Sequence, residues 1–274
     1  MSSLALYLDG LALWAPALPG WQAAREALRG GTLPAPAARP AGALLGANER
    51  RRAPESVLVA LEVAQAAVAE AGLAADAVPS VFSSTHGDLA VVDALCRTLA
   101  TDPLLLSPTR FHHSVHNAAS GYWAIASGCR RPSSAVAEFG HAFAAGWLEA
   151  ATQCLADTTP VLLVGVDSAA CGPLASVNGS RGLLGVALVL APQPGPASRW
   201  RVEGRLVPEA APAPALRSAA AAALAANAMG DALPLFEALA RELPARLALP
   251  LGPRLHLALA LEPRAASGLS PAGA

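Results

Sequence analysis

Two runs in the second half of the chain are apolar at nearly every position: PVLLVGVD at 160–167 and LLGVALVLA at 183–191. Unbroken apolar runs of this length predict strands buried on both faces. The shorter run PSVFSS at 79–84 predicts a third buried strand, and Ser134–Glu138 a fourth. Between them the period becomes helical. Val57, Leu61, Ala64, Val68 and Ala71 recur at helical spacing over 55–71, and Gly72 supplies a stop. His86-Gly87-Asp88 predicts a turn capping a second helix, which carries Val92, Leu95, Cys96 and Leu99 on one face. Residues 141–155 predict a third, with Phe143, Trp147, Ala151 and Cys154 turned inward.

The ends of the chain are less regular. LALYLDGLALWA at 3–14 predicts a strand pair, or one strand running into a turn at Asp9-Gly10. Residues 15–54, rich in Pro, Gly and Arg, predict a long irregular surface connection. After a Pro/Gly break at 192–198, WRVEGRLV at 200–207 predicts an edge strand exposing Arg201 and Arg205. The Pro/Ala-rich stretch 208–216 predicts a mobile loop. Two helices follow, near 216–228 and 231–246, the second capped by Asp231, and RLHLALAL at 254–261 predicts a last strand. Helices alternating with short buried strands predict an α/β fold with helices on both faces of a mixed sheet. The reading is one domain over 1–264, with a core at 1–191, an extension at 200–264 and a disordered tail at 265–274.

Composition narrows the function. With 54% hydrophobic and 14% charged residues, the 274-residue chain can bury a sizeable core. A net charge of -1 argues against nucleic acid or an anionic membrane as the main partner. All 19 basic residues are Arg, which excludes Schiff-base lysine chemistry and a lysine-dependent phosphate loop. Cys96, Cys129, Cys154 and Cys171 form no CxxC pair, and Cys96 and Cys154 fall on apolar helical faces, so reduced thiols are expected. The N-terminus lacks a basic segment, and the Ala-rich run at 218–230 is too short and weakly apolar to span a bilayer. The expectation is a cytoplasmic protein with no cofactor.

The candidate chemistry lies at 107–128, SPTRFHHSVHNAASGYWAIASG. Asn117 is predicted to cap a helix, with Val115 packed just before it. Ala118, Ala119, Ser120, Gly121, Ala124 and Ala126 give that helix little bulk, so it can sit at the centre of a layered fold. Its N-terminus would favour a thiolate or an oxyanion, yet alanine occupies it. His112, His113 and His116 form HHxxH. No HExxH, cysteine or acid completes a zinc set locally, so they read as loop residues bonded to backbone, with no metal, and His116 as the one lining a cavity. Ser120 is a poorly exposed third helical residue outside any GxSxG. Cys171, in SAACG, is the remaining thiol candidate, and lacks a nearby His or basic residue in sequence. Phe111, Tyr122, Trp123, Phe139, Phe143 and Trp147 gather around the helix, as a tunnel wall or as ordinary core.

SVFSSTHGDL at 80–89, LSPTRFHHSVHNAASGYWAIA at 106–126, FAAGWLEAA at 143–151 and VLLVGVDS at 161–168 resemble ketosynthases of the thiolase fold. The resemblance is closer to short ketosynthase-like chain-length factors of aryl-polyene and type II polyketide systems. It implies a truncated thiolase-like α-β-α layered fold: mainly the N-terminal ketosynthase half plus a short C-terminal α-α-β extension. In active ketosynthases a Cys occupies the helix start, two residues before a Ser-Gly like Ser120-Gly121, which carries over to Ala118, or to Ala119 with a one-residue gap. Active members also place two His in a C-terminal half, one in an NxFGFGG segment. This chain lacks that segment, and His256 is its sole His after residue 191. The resemblance therefore implies a catalytically silent subunit. It would pair with an active ketosynthase as a heterodimer sharing one continuous sheet core, help bound the acyl tunnel, and meet acyl carrier protein through the complex. Phe111, His112, His116, Asn117, Ser120, Tyr122 and Trp123 are expected to line that tunnel or face the partner. The alternatives are an acyltransferase or hydrolase using Cys171 or Ser120 with a nearby His, and a non-catalytic acyl-binding scaffold.

Overall fold

A computed structural model of the chain describes residues 3–36 and 39–264; the expected tail at 265–274 lies outside the described residues. In chain order the first half contains β1 (Leu4–Ala15), β2 (Leu18–Pro19), α1 (Trp21–Leu28), α2 (Ala47–Arg52), α3 (Glu55–Glu70), β3 (Ser80–Ser83), α4 (Leu89–Thr101), α5 (Pro108–Ser114) and α6 (Ala118–Ser127). The second half contains β4 (Ser133–Val136), α7 (Ala142–Ala156), β5 (Val161–Asp167), β6 (Leu184–Ala191), β7 (Trp200–Val207), α8 (Ala219–Leu224), α9 (Leu233–Arg241), β8 (Ala245–Gly252) and β9 (Leu255–Pro263).

The strands form one nine-stranded sheet in the order β4-β3-β5-β6-β1-β7-β9-β8, with β2 paired to the end of β1. β3 runs parallel to β4 and β5, and the other pairs are antiparallel. β5 and β6 are buried along their whole length, as their unbroken apolar sequences predict. Side chains of β5 alternate between two cores. Leu162, Val164 and Val166 join Trp14, Phe82 and Trp123 beneath α3 and α6. Val161 and Leu163 join Phe143, Trp147 and Phe236 beneath α1, α7 and α9. The result is a three-layer α-β-α architecture, the layered α/β fold expected from the sequence.

Close approaches at glycine fix two of the contacts. A Cβ at Gly10 would lie 2.0 Å from the Ala67 carbonyl oxygen, so α3 rests directly on β1. A Cβ at Gly146 would lie 2.7 Å from Ser83 Cβ, so α7 rests on β3.

Several expectations need correction. Asp9-Gly10 is no turn: β1 is one strand with a register shift between Leu8 and Gly10 where it pairs β6. The 15–54 connection contains β2, α1 and α2. α1 is held by α9, with the Trp21 and Phe236 rings edge to face at 6.1 Å, a pairing across more than two hundred residues. β7 is interior, between β1 and β9. Its arginines stay accessible because Arg201 projects from one face to pair with Glu203 and Glu262. The predicted 231–246 helix is a 3-10 turn at Ala228–Ala232 and then α9, which stops at Arg241 with Glu242 in the left-handed region. Pro244 disfavours helical backbone at Leu243, and residues 245–252 instead form β8. Cys96 on α4 is exposed, not interior. HHxxH begins on the helix α5, not in a loop.

Candidate functional site

Ser107 starts α5, its side chain accepting from the Arg110 amide at 3.3 Å, with Pro108 in the first turn. The helix turns His112 outward and His113 inward. His113 Nε2 and the Tyr122 hydroxyl share a 2.8 Å hydrogen bond, and the His112 ring lies 5.9 Å from Tyr122, edge on. Burial, and then the neighbouring His112, hold the His113 pKa below its ordinary value, against a weaker pull from Asp88. Burial raises that of Tyr122. His116 Nε2 donates to the Ser84 carbonyl at 2.9 Å. Among the described residues, no group of three His, Cys, Asp or Glu is placed to hold a metal ion.

Asn117 stands at the cap position of α6, but its side chain makes no capping bond. Instead its carbonyl accepts from Ser120 Oγ at 2.9 Å. Val115, expected to pack before the cap, is exposed. Ser120 and Trp123, expected to line a tunnel or face a partner, are buried inside this chain: Trp123 is 1% exposed and belongs to the core beneath α3 and α6. Phe111, His112 and Asn117 are exposed, and His116 and Tyr122 half-buried.

Two of the three cavities bordering His113 share further walls. One of about 680 Å³ is lined by Trp14, Arg52, Glu55, Asp88, Arg110 and His113. The other, about 30 Å³, is roughly the room of one water and lies against Ala118, His116 and Ser84. Ser56, Asp88 and His113 line both. Both Asp88 oxygens already have partners within the chain. One oxygen accepts from the Val91 amide at 3.0 Å, capping α4, and the other from Ser56 Oγ at 2.7 Å. The predicted His86-Gly87-Asp88 capping turn is therefore present. Ser56, Arg52 and Trp14 come to this cavity from elements whose proximity the sequence does not show.

The helix at the centre of the molecule is α7, not α6. α6 has only Ser120 and Trp123 buried, and its Ile125 is 75% exposed. α7 packs on β1, β3, β5 and β6 and buries Ala142, Phe143, Ala144, Gly146, Trp147, Ala150, Ala151 and Cys154. Its start follows β4 after a short elbow, Ala137–His141, at the carboxyl end of the parallel strands, where open α/β sheets receive ligands. Glu138 Oε2 accepts from the amides of Gly140, at 3.0 Å, and His141. Asp231 Oδ2 accepts from those of Phe143, at 3.1 Å, and Ala144, at 3.4 Å. Asp231 was expected to cap its own helix; it caps α7 instead. Burial pushes its pKa up from 3.8 to about 7, opposed by those two amides. On the adjoining strand end, Asp167 accepts from Ser84 Oγ at 2.8 Å and from the Thr85 amide, and burial raises its pKa too. His86 stacks edge to face on Phe139 at 5.6 Å.

No activated nucleophile is assembled among these residues. Ser120 Oγ is spent on a backbone carbonyl in its own helix turn. The Cys171 thiol is pushed up, by desolvation first and then by the Asp93 and Asp88 carboxylates, which favours the unreactive thiol. Cys154 is buried, its pKa raised to about 12. His256, on β9, bonds the Glu209 carbonyl far from these cavities.

Comparisons agree with this architecture. A chain of the Xenorhabdus doucetiae ketosynthase (ApeO) in complex with its chain length factor (ApeC) superposes with a TM-score of 0.70 at 19% identity, over 93% of this chain and 99% of that one. A chain of the ishigamide ketosynthase/chain length factor gives 0.66 at 15% identity, over 94% and 98%. A beta-ketoacyl synthase from Burkholderia phymatum STM815 gives 0.53 at 12% identity, over 68% of this chain and 58% of that one. At these identities the likeness is one of fold. No curated protein sequence matches the chain. The family described as beta-ketoacyl synthase, N-terminal domain, matches residues 21–244. The chain thus belongs to the beta-ketoacyl synthase family, through its N-terminal domain.

Proposed function

We propose that the chain is a catalytically silent chain-length-factor subunit, one domain over 1–264, that pairs with an active ketosynthase and helps bound its acyl tunnel. The observation that carries this reading is the start of α7. In active relatives the helix start holds a cysteine. The central position of α7 moves that site from Ala118 to the elbow Gly140-His141-Ala142, and none of these residues bears a thiol or hydroxyl. Silence is thus expected from either assignment. The chain spans nearly all of the matched chains from two ketosynthase/chain-length-factor complexes and 58% of the Burkholderia enzyme.

The partner face is the free edge of β4. Its outer positions, Ser133 and Ala135, are exposed. Phe139 follows it directly, α6 touches it, and Ile125, Phe111 and Val115 carry the exposed apolar surface onward over α6 and α5. An unpaired edge strand beside exposed apolar groups is a liability for a lone subunit and a template for a second sheet. Phe111, His112, His116, Asn117 and Tyr122, on α5, on α6 and on the link between them, are assigned to the interface or the tunnel wall; carrier protein would reach them through the complex.

The test is to purify the chain alone and together with the ketosynthase encoded beside it. The expected result is a stable one-to-one complex, with condensation activity dependent on this chain and no activity from the chain alone. Absence of association, with ketosynthase activity indifferent to this chain, would sink the reading. Acyl-carrier protein binding without a ketosynthase complex would favour the scaffold alternative.

A further inference from the structure

The start of α7 has a feature that loss of a nucleophile alone does not produce. Four amides around it are already taken by two carboxylates of the chain itself: Gly140 and His141 by Glu138, Phe143 and Ala144 by Asp231. A helix start normally attracts a thiolate or an oxyanion because its amides are unpaired and its dipole end is positive. Here both attractions are spent internally. The position is nevertheless sterically vacant. A Cβ at Gly140 would meet no atom within 4 Å, and its backbone lies outside the left-handed region. Three polar atoms enclosed at this end of the sheet, Thr85 Oγ1, His86 Nε2 and Asp231 Oδ1, have no partner among the described residues.

We propose that Glu138, backed by Asp231, is a built-in counter-anion that closes this helix start to acyl thioesters and their oxyanions. Silence is then enforced twice: by the missing thiol and by an occupied amide cluster. Putting a thiol back at the elbow would not by itself restore an acceptor site. The thiol would face a carboxylate on the amides it needs, and its ionisation would be opposed rather than favoured. Glu138→Gln keeps an acceptor for the Gly140 and His141 amides and removes the negative charge, so the field that opposes a thiolate there is relieved.

The inference rests on reading the α7 start as the degenerate nucleophile position, and its test is independent of partner binding. In the full chain with Cys96→Ser and Cys171→Ser, Gly140→Cys is compared with Gly140→Cys plus Glu138→Gln. Alkylation by iodoacetamide is followed against pH on the peptide containing residue 140, by mass spectrometry. With Glu138 present the thiol is expected to titrate above the ordinary cysteine value of about 8.5; with Gln it falls by about one unit or more, roughly a tenfold rise in thiolate fraction at neutral pH. His141→Cys, with and without Glu138→Gln, reads the same field should the first pair fail to fold. Equal pKa values in the two members of a folded pair overturn the proposal. If that result comes from a chain that still forms the ketosynthase complex, the partner reading stands and only the counter-anion falls. A pKa gap without a complex has the opposite meaning.

Discussion

Asp231 shows how much one carboxylate can organise. It lies in a 3-10 turn of the extension yet caps a helix 88 residues earlier in the chain. Its pKa, raised to about 7 from 3.8, means the folded state holds the proton more tightly than the unfolded state. Stability from this group is therefore present below about pH 4 and is lost as pH rises through about 7. Asp231→Asn keeps an acceptor for the Phe143 and Ala144 amides and removes the charge. Urea unfolding at pH 5 and pH 8 is expected to show a flatter pH dependence in the Asn variant, which at pH 8 is at least as stable as wild type. An unchanged slope would contradict the assignment. Asp231→Ala leaves two amides unpaired and is expected to cost about 1–3 kcal/mol at either pH. Nothing near Asp231 in the sequence announces this role, because both partners are supplied by the fold. The same holds for Ser56 with Asp88, 32 residues apart, whereas Asp88 itself was legible as a cap from its position before an apolar helical face.

Among the elements, the buried strands and amphipathic helices were readable because their own periodicity encodes their burial. β5, β6, α3 and α7 fall within a residue or so of their expected limits. The elements that escaped depend on distant partners. α1 has α9 to pack on, β8 has β9 to pair with, and α5 is too short to show a period. The misreading of α6 has a specific cause. Small residues suit a helix buried on all sides, and they suit equally one lying flat on α3; composition does not distinguish the two, and the neighbours do. Two substitutions weigh α7 as the central element. Gly146→Ala drives a methyl against Ser83 and is expected to destabilise by about 1–3 kcal/mol. Trp147→Ala, which empties the space between α7 and Gly204, is expected to cost about 3–5 kcal/mol. The same truncation at exposed Ile125 on α6 should leave the melting curve within about half a kcal/mol of wild type. A larger loss at Ile125 than at Trp147 would reverse the ranking of the two helices.

At the scale of the molecule, the sheet leaves two edges among the described residues, β4 and β8, and they differ in kind. β8 carries Pro250 and an exposed Arg246, devices that blunt an edge. β4 ends in a short apolar approach with exposed Phe139 beside it. The parallel ladder to β3 uses the backbone groups of alternate β4 residues: the Pro132 and Val136 carbonyls accept from Ser80 and Ser84. Ser133 and Ala135 therefore turn theirs outward. Ala135→Pro removes an outward N–H and spares the inner ladder. The most direct measurement of the central claim is native mass spectrometry of the chain co-expressed with its neighbouring ketosynthase, in wild-type form and as Ala135→Pro. The account predicts a one-to-one complex for wild type and, for a folded Ala135→Pro chain, at least a tenfold loss of association, on the order of 1.4 kcal/mol. A complex equally abundant in both, or absent in both, would contradict it.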